Sequence, residues 1–290
     1  MRLKTALQLG RVSNLPTVWT NTLAGALLAG ATGFGPQFAL MLASFSLFYV
    51  GGMFLNDAFD AAYDALQRPE RPIPSGDVSR AQVFFYGFGL MAGGMLLLLW
   101  IGFSFQPRTG AWPALGGAAL AATITFYDAY HKNNALGPVV MGLCRVLVYV
   151  AAGLCYTLLL PAGLWIGSAV MLSYLIGLTY IAKQENLGSV RNLWPLLFLA
   201  APVAYGAWLT QSQGAVVFFW LLFCAWMLVA LWFLRRRQRG DIPRAVVSLI
   251  AGISLLDALL IAGTGSTGLA LLALLGFGAT LLFQRYITGT

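Results

Sequence analysis

Charge is scarce in this sequence, and that scarcity decides its class. Only 9% of the 290 residues are charged while 59% are hydrophobic, and the mean hydropathy is +0.79. A soluble domain carries roughly a quarter charged residues, which excludes a soluble enzyme with an appended anchor. Histidine is rarer still: a single one, His131, excludes a histidine-cluster metal centre. The three cysteines, Cys144, Cys155 and Cys224, fall inside apolar runs without metal-ligand spacing, which leaves packing as their role. P-loop and HExxH patterns are also missing. Chemistry in this chain must therefore run on carboxylates, amides and cations.

What the chain has is apolar runs close to the ~20 residues that cross a bilayer. The pattern predicts spans at 15–33, 38–57, 81–103, 111–127, 136–158, 162–182, 193–210, 214–234, 245–263 and 266–283. The expected fold is all-α: a polytopic transmembrane bundle of nine spans, or ten, around a central cavity open to the cytoplasmic side. No linker or composition break interrupts it, so residues 1–290 read as one membrane-embedded domain. The start, MRLKTALQLGRVSNLPT, has too short an apolar stretch for a cleavable signal.

The few charges are distributed unevenly. With the N-terminus inside, every Lys and Arg except Arg108 and Arg145 falls on a cytoplasmic segment, as the positive-inside rule requires. Every Asp and Glu except Asp257 lies in or beside the same segments. The net charge of +8 thus reads as topology and contact with anionic membrane lipids, not nucleic-acid binding. The run RRRQRG at 235–240 reads as a stop-transfer anchor. Cytoplasmic loops at 58–80, 128–135, 183–192 and 235–244 are the polar ones, which directs attention there.

Residues 56–76 read NDAFDAAYDALQRPERPIPSG. Asp57, Asp60 and Asp64 are spaced i, i+3, i+7, and Asn56 precedes Asp60 by four, so all four fall within about a 100° arc of one helix. Such a face needs cations. With histidine and cysteine absent, a hard oxygen-seeking ion fits, most naturally Mg²⁺, which takes one or two carboxylates and completes its shell with water and phosphate oxygens. Arg68 and Arg71 follow as phosphate-directed donors. The alternative is a solvated helix end held by Asp–Arg pairs. At the mouth of an apolar segment, the cluster suits a substrate with a diphosphate head and a lipid tail.

This stretch resembles the first aspartate-rich motif of the UbiA superfamily of intramembrane prenyltransferases, N-D-x-x-D-x-x-x-D followed by R-x-x-R-P-[LI]-P-S-G. The resemblance implies a nine-span fold with its motifs on cytoplasmic helix ends. It also implies that Asn56, Asp57, Asp60 and Asp64 hold Mg²⁺ against an isoprenyl diphosphate, with Arg68 and Arg71 near the phosphates. The family's Tyr-x-x-x-Lys element is similar to TFYDAYHKNNALG, where Tyr127 fits, His131 stands at the lysine position and Lys132 follows. Asp128 is either a base or a partner for Lys132. The family's second motif, D-x-x-x-D, is altered: GLTYIAKQENLGSVRN offers Gln184 and Glu185, with Lys183 and Arg191 as alternative phosphate neutralisers and Glu185 as a remaining metal ligand. This altered motif and MGLCRVLVY are similar to the EboC branch of the superfamily.

Two charges lie deeper. Arg145, about nine residues into its span, and Asp257, about twelve into its own, sit at depths of roughly 13 to 18 Å. Intramembrane charges face a partner or a cavity. They are either an ion pair fastening two helices or part of the cavity wall against the acceptor; Asn14 and Asn21 are weaker candidates of the same kind. The implied reaction is Mg²⁺-dependent transfer of an isoprenyl group to an aromatic or hydroxyl-bearing acceptor, with Asp57, Asp60, Asp64 and Lys132 at its centre. The alternative is a non-catalytic binder or carrier of a lipid diphosphate that retains only the first cluster.

Overall fold

The computed structural model describes residues 1–132, 134–184, 194–236, 238 and 240–287. Among the described residues the regular structure is entirely helical. The order is α1 (Leu3–Leu9), a 3₁₀ turn (Val12–Asn14), α2 (Leu15–Leu28), α3 (Pro36–Gln67), α4 (Arg80–Ser104), α5 (Trp112–Tyr130), α6 (Gly137–Leu154) and α7 (Ala162–Lys183). A second 3₁₀ turn (Trp194–Leu199) then leads into α8 (Ala200–Leu209), α9 (Val216–Arg236), α10 (Asp241–Gly263) and α11 (Thr267–Phe283). Proline opens α2, α3, α5 and α6 in the first turn, where its missing N–H costs nothing. A reciprocal Ser79–Gln82 capping box starts α4.

Among the described residues six helices (α3, α4, α6, α7, α9 and α10) are long and apolar enough to cross a membrane; Trp194–Leu209 and α11 are shorter apolar segments. The chain is an integral membrane protein. Three expected boundaries move. The first span stops at Leu28, where the chain turns through Gly30 at φ +91°. The seventh expected span, at 193–210, becomes a 3₁₀ turn followed by a short helix, with Pro195 withholding a donor near its start. Most consequentially, the second helix does not end at 57 but continues to Gln67. No Gly or Pro interrupts NDAFDAAYDALQ, so the aspartates ride on one continuous helix, as their spacing predicts, and the expected 58–80 loop begins only after Gln67.

The packing closes a ring. α2 lies against α3, α6, α10 and α11; α3 meets α5, α5 meets α6, α6 meets α7, and α7 meets α10. Helices α4 and α9 flank the outside with much of their length exposed, whereas 89% of the apolar window of α10 is buried. Lipid is as apolar as leucine, so such a bundle is held by close backbone approach and by polar contacts between helices. Gly25 of α2 is one such approach: a Cβ there would stand 2.7 Å from Tyr149 Cα and 2.9 Å from its carbonyl oxygen. Replacing Gly25 by leucine should push α2 off α6 and cost roughly 3 kcal/mol or more of stability. A thermal melt in detergent indistinguishable from that of the unaltered protein would show this seam to be loose.

Candidate active site

Inside the ring lies a cavity of about 590 Å³, walled by α2, α3, α5, α6, α7 and α10. Its inner wall is apolar, with Val18, Phe45, Phe48, Leu120, Val148 and Ile253, while its mouth carries Asn56, Asp60, Asp64, Arg68, Arg71, Tyr127, Asp128, Lys132 and Lys183. Nine sequence candidates thus share one opening, with Arg145 on the wall of the same cavity, and the continuity of α3 is what aims the aspartates along it.

The carboxylates at the mouth are matched with cations. Asp57, nearly buried, accepts from Arg11 Nη2 at 3.0 Å and lies 3.4 Å from Arg71 Nη1. Arg71 also donates to Asp64 at 2.9 Å. Asp60 takes Lys132 at 2.8 Å, with His131 Nε2 at 3.7 Å, and the Lys132 ammonium lies 3.8 Å from the centre of the Tyr63 ring. The departure from Tyr-x-x-x-Lys is therefore harmless to position: Lys132 reaches the aspartate face, and His131 stacks on Tyr127 with ring centres 4.9 Å apart. Asp128 is not a partner of Lys132. Its Oδ1 accepts from Asn56 Nδ2 at 3.0 Å, because α3 and α5 bring these two side chains together. Its other oxygen is buried without a hydrogen bond. Lys183 donates to the Asn134 carbonyl at 2.6 Å. Gln184 is buried at the end of α7 and is not among the cavity-lining residues. Glu185 and Arg191 lie outside the described residues.

The donor chemistry of this mouth fits Mg²⁺. Among the described residues no three carboxylates, imidazoles or thiols converge on a point. Mg²⁺ does not require that, since one or two carboxylates with water and substrate phosphate suffice. Asp60 and Asp64, which line the mouth, with Asp57 buried beside them on the same helix face, are the oxygens that would hold it.

Arg11 is the mouth residue that sequence reasoning missed as a site residue. It sits before α2 at φ +40°, a left-handed conformation unusual outside glycine, and its side chain reaches Asn56 Oδ1 at 3.2 Å as well as Asp57. Burial by itself lowers its pKa, but Asp57 together with Tyr49 and Asp128 more than offsets this, and the net shift is upward. Its place was visible only as one more positive charge beside a predicted span.

At depth, Arg145 and Asp257 do face the interior, yet they do not form an ion pair. Asn21 stands between them: its Oδ1 accepts from Arg145 Nη1 at 2.8 Å, and its Nδ2 donates to both Asp257 oxygens at 3.0 and 2.8 Å. Thr17 completes the Arg145 side at 3.1 Å, while Thr20 (2.6 Å) and the Tyr149 hydroxyl complete Asp257. Arg145 lines the cavity and Asp257 is fully buried behind it. Thr17, Thr20 and Tyr149 carry no sequence signal of this role.

A ring of apolar helices enclosing a cavity, with acids and bases gathered at one mouth, defines an intramembrane polar site. The chain belongs to the UbiA prenyltransferase family, whose profile matches residues 18–253. It is 36% identical over 132 residues to digeranylgeranylglyceryl phosphate synthase of Ignicoccus hospitalis, covering 46% of this chain and 39% of that one. It is 29% identical over 203 residues to the Methanopyrus kandleri synthase, covering 69% of each. The first four curated relatives are matched over only 39% to 59% of their length. Among solved structures, an apo UbiA homologue from Aeropyrum pernix K1 superposes with a TM-score of 0.65 at 18% identity, over 87% of this chain and 97% of that one. A structure from work on digeranylgeranylglyceryl phosphate synthase in membranes gives the same TM-score at 17% identity, over 90% and 98%. These superpositions establish a UbiA-like fold.

Proposed function

We propose that the protein transfers an isoprenyl group from an isoprenyl diphosphate to an acceptor within the membrane, with Mg²⁺ as cofactor. The observation that carries this reading is a mouth lined by aspartates, arginines and lysine opening into an apolar cavity, in a chain of the UbiA family. A diphosphate head suits that mouth and an isoprenyl chain suits the wall below. Asp57, Asp60 and Asp64 would hold Mg²⁺, which would supply Lewis-acid neutralisation of the leaving diphosphate. Arg68, Arg71 and Lys132 lie where they would orient the phosphates and stabilise the negative charge that develops as the C1–O bond lengthens. Phe45, Phe48, Leu120 and Ile253 exclude water, which protects the allylic cation character at C1 from hydrolysis. The acceptor then bonds to C1 as the C1–O bond breaks, its O–H or ring C–H proton passes to the departing diphosphate, and both leave through the mouth.

The same reading carries an orientation. With the N-terminus and cavity mouth on the cytoplasmic side, all lysines and arginines except Arg108 and Arg145 fall on that side, in a bundle of nine or ten passes. Diphosphate would then be released to the cytoplasm. The relatives' name supports a glyceryl phosphate acceptor; an aromatic acceptor is the other class that the family reading includes.

The experiment is a diphosphate-release assay on the purified protein with Mg²⁺ and isoprenyl diphosphates of several lengths, with and without aromatic and glyceryl acceptors. Release should require Mg²⁺, rise with the right acceptor and vanish in EDTA. Tight binding of every isoprenyl diphosphate with no release under any acceptor would instead make this a lipid-diphosphate binder.

A further inference from the structure

We propose that Arg11 is a further residue of the diphosphate site: its guanidinium keeps the cation position beside Asn56 and Asp57, and passes to a phosphate when Mg²⁺ takes that position. This rests on the prenyl-transfer reading and adds how metal and diphosphate enter together. One nitrogen, Arg11 Nη2, lies 3.2 Å from Asn56 Oδ1 and 3.0 Å from Asp57 Oδ1. The Asn56 amide is turned with its oxygen toward Arg11, because its Nδ2 donates to Asp128 Oδ1 at 3.0 Å. A point shared by an amide oxygen and a carboxylate oxygen suits a hard cation. Mg²⁺ binds oxygen at about 2.0–2.1 Å, so ion and guanidinium cannot hold these two oxygens at once.

Tethered cations hold the rest of the aspartate face in the same way. Asp57 and Asp64 lie seven residues apart on α3, about 10 Å along the helix. Within that length Arg11 takes Asp57, Lys132 takes Asp60 at 2.8 Å and Arg71 takes Asp64 at 2.9 Å. Three carboxylates thus meet three cations. Mg²⁺ entering alone would push those cations off and leave them unpaired in a site partly shut from water. Diphosphate entering alone would draw them away and leave the carboxylates unpaired. When both enter, Mg²⁺ receives the carboxylates and diphosphate receives the cations, so no charge is left single where that costs most.

Arg11 can make this exchange without moving its backbone. Its carbonyl accepts from the Tyr49 hydroxyl at 3.2 Å and from the Asn14 N–H at 3.1 Å, and its own N–H donates to the Gln8 carbonyl at 3.1 Å. That clamp holds the residue in the left-handed region, at φ +40°. The side chain lines the cavity. Both of its contacts use Nη2, and among the described residues Nε and Nη1 have no hydrogen-bond partner. A guanidinium carries five N–H donors in a planar fork that matches phosphate. Rotation about the outer side-chain bonds is enough to aim that fork at a phosphate oxygen, where a charge-assisted pair forms.

The test uses the full chain in lipid nanodiscs and reads binding, not turnover. Calorimetric titrations follow Mg²⁺ alone, and geranylgeranyl S-thiolodiphosphate, a donor analogue whose C1–S bond resists cleavage, in EDTA and in Mg²⁺. Mg²⁺ should tighten the analogue by about a hundredfold, and the analogue should tighten Mg²⁺ by the same factor. Arg11→Met, which removes the tethered cation, should bind Mg²⁺ alone about tenfold more tightly and the analogue in Mg²⁺ about tenfold more weakly. Shifts of opposite sign mark the exchange, since a merely structural loss would weaken both. Arg11→Gln, which can still hydrogen-bond Asp57, should move the two affinities in these same directions and serves if Arg11→Met does not fold. Mg²⁺ binding indifferent to the analogue, or variants that bind Mg²⁺ alone no more tightly than the unaltered protein, would overturn the proposal. An unaltered protein that binds the analogue in neither condition would remove the transfer reading, while Mg²⁺ alone, compared across the variants, would still test Arg11.

Discussion

Asp57→Asn and Asp60→Asn should each lower Mg²⁺-dependent diphosphate release by about a thousandfold, equivalent to ~4 kcal/mol of transition-state stabilisation. Each exchange removes a charge and keeps nearly the same shape, so the fold should survive. The two variants should differ in a second respect. Asp57 is held by Arg11 and Arg71, and Asp60 by Lys132. At position 57 the amide would leave two arginines facing a neutral group, so this variant should also melt at a lower temperature. At position 60 the lysine is more than a third exposed, and water can take the place of the lost partner. Full turnover in either variant, measured at saturating Mg²⁺, would remove the aspartate face from the chemistry.

The second large effect is on stability. Asp257→Asn should destabilise the protein by roughly 3 kcal/mol, while lowering turnover of the folded fraction far less. The carboxylate accepts from Thr20, from the Asn21 amide and from the Tyr149 hydroxyl, and it is wholly buried. An amide at 257 would turn N–H groups toward donors, leaving at least one buried group unsatisfied on α2 or α6. Thermal melts paired with turnover per folded molecule decide the matter. A variant that melts normally but no longer turns over would move Asp257 from the scaffold into the site.

Much of the architecture was legible in the order of residues because a bilayer imposes a simple rule: backbone polar groups must be satisfied within the segment, so apolar runs become helices. The aspartate face was legible for a similar reason. Asp57, Asp60 and Asp64 belong to one helix, and helical periodicity alone aligns them whatever surrounds that helix. Arg68 and Arg71 follow within the same stretch and stand at the same mouth.

Partners from distant segments were a different matter. Arg11 reaches across 46 positions to Asp57, and Asn56 across 72 to Asp128. Nothing local distinguishes Arg11 from any other positive charge flanking a span, and nothing local sends Asp128 to Asn56 rather than to adjacent Lys132. Arg145 and Asp257 could be read as deep and inward-facing, since an isolated charge in lipid is too costly. Whether they touch was decided by the approach of α2, through Gly25, to the backbone of α6 at Tyr149, which seats Asn21 between the two charges. Sequence by itself determined the helices, the aspartate face and the class of site, because each depends on periodicity and on the energy of burying charge. The tertiary structure alone decided which charges neutralise one another and which one is left open to the cavity, because that depends on how closely separate helices can approach.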